Sequence, residues 1–98
     1  MGKYLVLWEV DWTRVPVDAK ERNAAWLVLV EIVKANMKKG FMKDWGTFPG
    51  QLKGYAIVEG TEVSVMTELT NAVPYVKHEA HAVATVAQVE EAIKALMK

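Results

Sequence analysis

The chain has 98 residues, with 12 Lys and Arg against 12 Asp and Glu, no cysteine, and 52% hydrophobic residues. This length supports a single domain over residues 1–98, and the hydrophobic fraction is too high for a disordered chain. A net charge of zero lacks the basic excess of nucleic-acid-binding proteins, so we expect no nucleic-acid partner. The absence of cysteine excludes disulfides, thiol nucleophiles and thiolate metal sites.

The first half of the chain predicts a strand, a long helix and a second strand. Apolar, β-branched and aromatic residues at 3–10 are typical of a buried strand. Asp18 is followed three residues later by a glutamate, a pattern that predicts the N-cap of a helix over 19–39. A second strand is predicted at 41–48, and Pro49 with the glycine after it marks a turn.

The second half predicts two more strands and two helices. A strand is expected at 54–59, Thr61 caps a short helix, and a fourth strand covers 75–83. Thr85 then caps a last helix that runs through Met97. This order is the split βαβ, or ferredoxin-like, arrangement with an added C-terminal helix. The expected fold is α+β, with an antiparallel sheet in the strand order 4-1-3-2. Within this sheet, the two central strands, one and three, are expected to run parallel to each other.

The element order, the first strand KYLVLWEV, the strand GYAIVEG and the segment PYVKHEAHAV together resemble the dimeric α+β-barrel superfamily, in an uncharacterised branch of small proteins. The resemblance implies a small ferredoxin-like chain whose sheet packs face to face with that of a partner. Members include cofactor-independent monooxygenases, haem-degrading enzymes and muconolactone-isomerase-like proteins. The asparagine that the oxygenases pair with tryptophan has no match in the first strand, because the asparagines are Asn23, Asn36 and Asn71. No catalytic set is therefore carried over.

Two strands end in the same way, with a glutamate after three mostly apolar residues. Strand one ends at Glu9 and strand three at Glu59. In parallel neighbouring strands these carboxylates would lie on one face, about 5 Å apart, and one of them would have a raised pKa. Such a pair can act as general acid and base, so Glu9, Glu59 and His78 are the candidate catalytic residues. The alternative is that both glutamates lie in solvent or pair with Lys77.

Histidine and tryptophan provide the remaining candidates for a binding site. His78 and His81 are three residues apart, so in a strand they point to opposite faces and cannot hold one metal ion without a bulge. We expect no metal and no cofactor. Trp8, Trp45 and His81 are the candidate ligand-binding residues, because rings near strand ends can form the rim of a pocket. The alternative for the tryptophans is packing in the core or in an interface.

The long helix has apolar residues on more than one side. One apolar stripe consists of Trp26, Leu29, Val30, Val33 and Met37. A second stripe consists of Ala25, Val28, Ile32 and Ala35. A surface helix normally has one such stripe, so the second predicts an interface with another chain. The alternative is that the terminal helix of the same chain covers it.

The preferred hypothesis is a self-associating α+β scaffold domain that forms homo- or hetero-oligomers, dimers or higher, with other protein chains. The many alanines of the C-terminal half also suit a rebuilt interface, so one form of this hypothesis is an engineered self-assembling protein with a second designed component. The alternative is a small-molecule-binding protein or cofactor-independent enzyme, monooxygenase- or isomerase-like, with a cavity on the sheet face. No signal peptide or membrane-spanning run is visible, so we expect no membrane partner and, for a natural chain, a cytoplasmic location.

Overall fold

A computed structural model describes residues 2–73 and 75–98 of the chain. The elements in chain order are β1 (Gly2–Val10), a 3-10 helix (Trp12–Arg14), α1 (Ala19–Lys38), β2 (Met42–Thr47), β3 (Lys53–Gly60), α2 (Glu62–Thr70), β4 (Val76–Val83) and α3 (Val86–Leu96). The strands form one sheet in the order β2-β3-β1-β4, which is 4-1-3-2 in reverse, and all its neighbours are antiparallel. The predicted α+β fold and strand order are confirmed.

The direction of the two central strands differs from the expectation. β1 and β3 are antiparallel, so the prediction that they run parallel is wrong. The reason is the path of the chain: α1 carries it back across the sheet so that β2 runs parallel to β1, and the turn after β2 reverses β3. β1 therefore has an antiparallel neighbour on each side, β3 and β4.

Each α-helix begins at the N-cap that the sequence predicts. The side chain of Asp18 accepts a hydrogen bond from the backbone N–H of Glu21 at 3.1 Å, and Thr61 caps α2 in the same way. At α3, Thr85 and Gln88 form a reciprocal capping box, with hydrogen bonds of 3.2 and 2.8 Å. These side chains satisfy backbone donors that have no partner within the helix, which is why the helices start at these residues.

The core lies between the sheet and the helices α1 and α2. Side chains alternate across each strand, so every second residue of the two central strands faces the helices. The buried hydrophobic residues are Val6 and Trp8 on β1, Val33 on α1, Ala56 and Val58 on β3, and Val65 on α2. The opposite face of the sheet carries no helix of the described chain. Below it is called the open sheet face.

The terminal helix α3 lies apart from this core. All of its residues are exposed, as are those of β4 from Glu79 onward. The described chain measures 62 × 25 × 20 Å, a long shape for a domain of this size. None of the helices in the described ranges has the length and apolar run that crossing a bilayer requires.

Candidate functional site

The glutamates at the two strand ends are far apart. Glu9 lies opposite Lys53, at one end of the central strand pair, whereas Glu59 lies opposite Lys3, at the other end. Six residues of strand separate the two positions, which is about 20 Å. The predicted pair of neighbouring carboxylates is wrong, because it required parallel strands. The acid–base hypothesis built on this pair has no geometric support.

The two glutamates instead belong to the charged rim of the open sheet face. The carboxylate of Glu59 lies 3.5 Å from the ammonium nitrogen of Lys43, and Glu9 lies opposite Lys77 on β4. The latter register agrees with the alternative pairing considered for Glu9. Opposite charges on facing strands of an antiparallel sheet attract one another. Acidic and basic residues therefore alternate around this face.

The centre of the open sheet face is apolar. It consists of Leu5 and Leu7 on β1, opposite Ile57 and Tyr55 on β3. Leu7 is exposed and the other three are half-buried. The hydroxyl of Tyr55 donates a hydrogen bond of 2.8 Å to Asp44, and this bond raises the pKa of Tyr55. An apolar centre within a polar rim is the usual anatomy of a protein–protein interface.

The two histidines lie on opposite faces of β4. His78 lies opposite Trp8 on the helix side of the sheet and is half-buried, and this burial lowers its pKa. His81 lies on the open sheet face, exposed, with its Nε2 atom 3.3 Å from a carboxylate oxygen of Glu79. Within residues 2–73 and 75–98, no three His, Asp or Glu side chains come close enough to hold a metal ion.

Three tryptophans pack together on the helix side of the sheet. Trp8 is buried, and its indole N–H donates a hydrogen bond of 3.1 Å to the carbonyl oxygen of Tyr55. Its ring stacks on that of Trp45, with centroids 5.2 Å apart, and meets the ring of Trp26 edge-on at 6.4 Å. Because the ring faces of Trp8 and Trp45 contact each other, the geometry supports the packing alternative for both residues.

A cavity of about 430 Å³, which we call the inner cavity, lies between α1, α2 and the sheet. Its lining includes Trp8 together with polar side chains that can hydrogen-bond to a ligand, namely Asn36, Lys39, Glu68, Asn71 and His78. Asn36 and Glu68 are not among the site residues predicted from the sequence. The sequence does contain a pattern that marks Asn36. On the helical wheel this polar residue lies between Leu29 and Ile32, inside the apolar sector of α1.

A second depression of about 390 Å³, the apolar groove, lies beside α1 at the end of the sheet where β1 finishes. Its lining includes Val10, Ala25, Val28, Ile32, Tyr75 and Val76. The second stripe of α1 thus supplies one wall: Val28 is 60% exposed and Ile32 is 53% exposed. Ala35, the last member of that stripe, is also exposed and lines the inner cavity instead.

The helix α3 carries an apolar stripe that is not among the surfaces predicted from the sequence. Its members are Val86, Val89, Ile93, Leu96 and the following Met97, which are between 50% and 85% exposed. The signal was present as apolar residues at positions i, i+3, i+7 and i+10. In the described chain this helix does not cover the second stripe of α1, which was the alternative to an interface. Two apolar surfaces of one chain therefore stay in contact with solvent.

Comparison with known proteins gives no family assignment. No protein-family model matches the chain, and no curated protein matches it.

Proposed function

We propose that this chain is a self-associating α+β domain whose role is to build a homo- or hetero-oligomer. The observation that carries the proposal is the exposure of Val28 and Ile32 on α1. This helix already buries one apolar stripe, on which Val33 lies, against the sheet. A monomer would leave a second stripe of the same helix in water, which a surface helix normally avoids.

The open sheet face supports the same proposal from the other side of the molecule. Its apolar centre and alternating charged rim suit contact with an identical face, as the resemblance to the dimeric α+β-barrel superfamily implies. The proposal has finer parts: membership of that superfamily and either an engineered origin of the α1 surface or, for a natural chain, a cytoplasmic location. The zero net charge removes long-range repulsion between copies of the chain.

The gain from covering the α1 stripe is sizeable for so small a domain. Fully burying an aliphatic side chain contributes about 1.5–3 kcal/mol. Val28 and Ile32 are a little over half exposed, so covering both would contribute roughly 2 kcal/mol per chain. In a symmetric interface between two chains, each chain covers its own stripe, so the interface includes this contribution twice.

The test is the mass of the assembly in solution. Native mass spectrometry and light scattering at micromolar concentration should show a dimer or larger species. Val28→Glu and Ile32→Glu should shift the population toward smaller species, because a carboxylate is costly to bury. Leu27→Glu is the matched control: Leu27 is 69% exposed on the same helix, but it lies outside the second stripe. A monomeric wild-type chain would refute the proposal.

A second candidate function is the binding of a small molecule in the inner cavity, with or without cofactor-independent catalysis. The observation that favours it is the grouping of Asn36, Glu68 and His78 beside the ring of Trp8. Titration with small aromatic amides and carboxylic acids should change the tryptophan fluorescence if the cavity takes such a ligand. His78→Ala should weaken this response, whereas His81→Ala, on the opposite face, should leave it unchanged.

A further inference from the structure

We propose that α3 is an exchanged arm, which docks through its apolar stripe into the apolar groove of a second copy of this chain. This proposal rests on the proposed self-association. It adds that α3 and the apolar groove are the two surfaces that meet. The partner is a second copy because the same chain presents both an unpartnered apolar helix and an unfilled apolar groove. Each copy can thus give an arm and receive one.

The helix α3 has the properties of a segment that needs a partner. It has eleven residues, and isolated helices of this length are marginal in water. Its start is nevertheless defined by the capping box of Thr85 and Gln88, and its apolar residues share one side. A helix with a defined start and a single apolar stripe is suited to lie in a groove.

The groove lies beyond the reach of the arm of its own chain. β4 ends at Val83, opposite Lys3 at the start of β1, whereas the groove lies near Val10 and Val76 at the other end of those strands. The seven residue steps from Val76 to Val83 span about 23 Å. Folded back from its two-residue connection, α3 is only about 16 Å long. The arm that fills the groove therefore comes from another copy.

Area and charge are both compatible with this contact. The exposed stripe of α3 amounts to roughly 600 Å², so a reciprocal exchange of two arms would bury roughly 1,200 Å² of arm surface, which by itself reaches the lower end of the range of stable interfaces. The charged residues that border the groove are both cations, Arg14 and Arg22. On the helical wheel Glu90, whose carboxylate lies 3.0 Å from the ammonium nitrogen of Lys94 on the same helix, borders the apolar stripe of α3, so a docked arm would bring an acidic residue to the basic rim of the apolar groove.

The absence of cysteine allows a direct test by disulfide trapping in the full chain. One preparation carries Ile93→Cys and a second carries Val28→Cys, and the two are mixed and oxidised. We expect a cross-linked heterodimer that forms at least about tenfold faster than with the control pair Glu91→Cys and Val28→Cys, because docking raises the effective concentration of the thiols. Glu91 lies on the other side of α3. Equal rates for the two pairs would overturn the proposal.

A second measurement separates failure of the arm from failure of self-association. Ile93→Lys places a charge in the stripe of α3 without touching the core, so the tryptophan fluorescence of the core should be unchanged. Native mass spectrometry should then show loss of the assembly, with Glu91→Lys as the control that keeps it. A wild-type monomer would refute self-association and the arm together. A wild-type oligomer that Ile93→Lys leaves intact would refute the arm alone.

Discussion

Gly54 lies opposite Thr47, where β3 pairs with the end of β2, and the structure has no room there for a methyl group. A Cβ atom at this position would collide with the backbone oxygen of Gly46 and would lie 2.8 Å from the Cα atom of Thr47. It would also lie 2.7 Å from the ring of Trp8. Two of these neighbours are backbone atoms, so they cannot move aside without separating the two strands. We therefore expect Gly54→Ala to destabilise the domain strongly.

The magnitude follows from overpacking. Extra methylene groups in a packed core typically cost about 1–3 kcal/mol, and the backbone collision at Gly54 places the cost at the upper end, about 3 kcal/mol. A domain of this length has a stability of roughly 5–15 kcal/mol, so the variant should still fold. For a domain of this size, each 1 kcal/mol lowers Tm by about 4–8 °C, which predicts a fall of roughly 12–24 °C.

Thermal melts followed by far-ultraviolet circular dichroism and tryptophan fluorescence would measure this loss. Gly50→Ala is the matched control, because Gly50 has a positive φ of 78° but no heavy atom within 4 Å of an added Cβ. Its cost should be only the strain of the left-handed backbone, about 1–2 kcal/mol. If Gly54→Ala lowers Tm no more than Gly50→Ala does, the close approach of β2, β3 and Trp8 is wrong.

Burial lowers the pKa of His78 below its usual 6.5. The unfolded chain therefore binds a proton at His78 more readily than the folded chain does. The free energy of unfolding should fall as the pH drops through 6.5 toward the lower pKa of the folded state. Urea midpoints at pH 7.5 and 5.5 should show a smaller difference in His78→Gln than in wild type or His81→Gln. Thr85→Ala should remove about 1 kcal/mol from the local stability of α3, because it removes the N-cap. Amide hydrogen exchange should become faster in α3, while the melting temperature of the sheet stays the same. The hydrogen bond to Asp44 raises the pKa of Tyr55, so in a spectrophotometric titration Asp44→Asn should bring this pKa back toward 10, and an unchanged titration would contradict the contact.

Local patterns predicted most of the fold. Asp18, Thr61 and Thr85 mark helix starts through hydrogen bonds within three residues, so neighbouring sequence is enough to find them. The direction of β3 relative to β1 depends on the path of the whole chain. The false proximity of Glu9 and Glu59 follows from that one error of direction.

The candidate site was less predictable because its parts come from separate elements. The exposed stripe with Val28 and Ile32 could be found from one helical wheel, since it belongs to one helix. Whether the terminal helix would cover that stripe depended on where α3 lies after β4, which no local pattern specifies. The inner cavity brings together Asn36 and Glu68 from two different helices, so sequence spacing carries no signal for their meeting.

The central place of β1 in the sheet has a consequence for synthesis. This strand is made early, yet its neighbour β4 is complete only at Val83, about 70 residues later. At about 5–20 residues per second, the ribosome needs roughly 4–15 s to supply that partner. For those seconds the apolar run KYLVLWEV has no complete sheet to join, and contacts so distant in sequence also form slowly. The nascent chain therefore exposes this apolar strand for several seconds before the second of its two neighbours is complete.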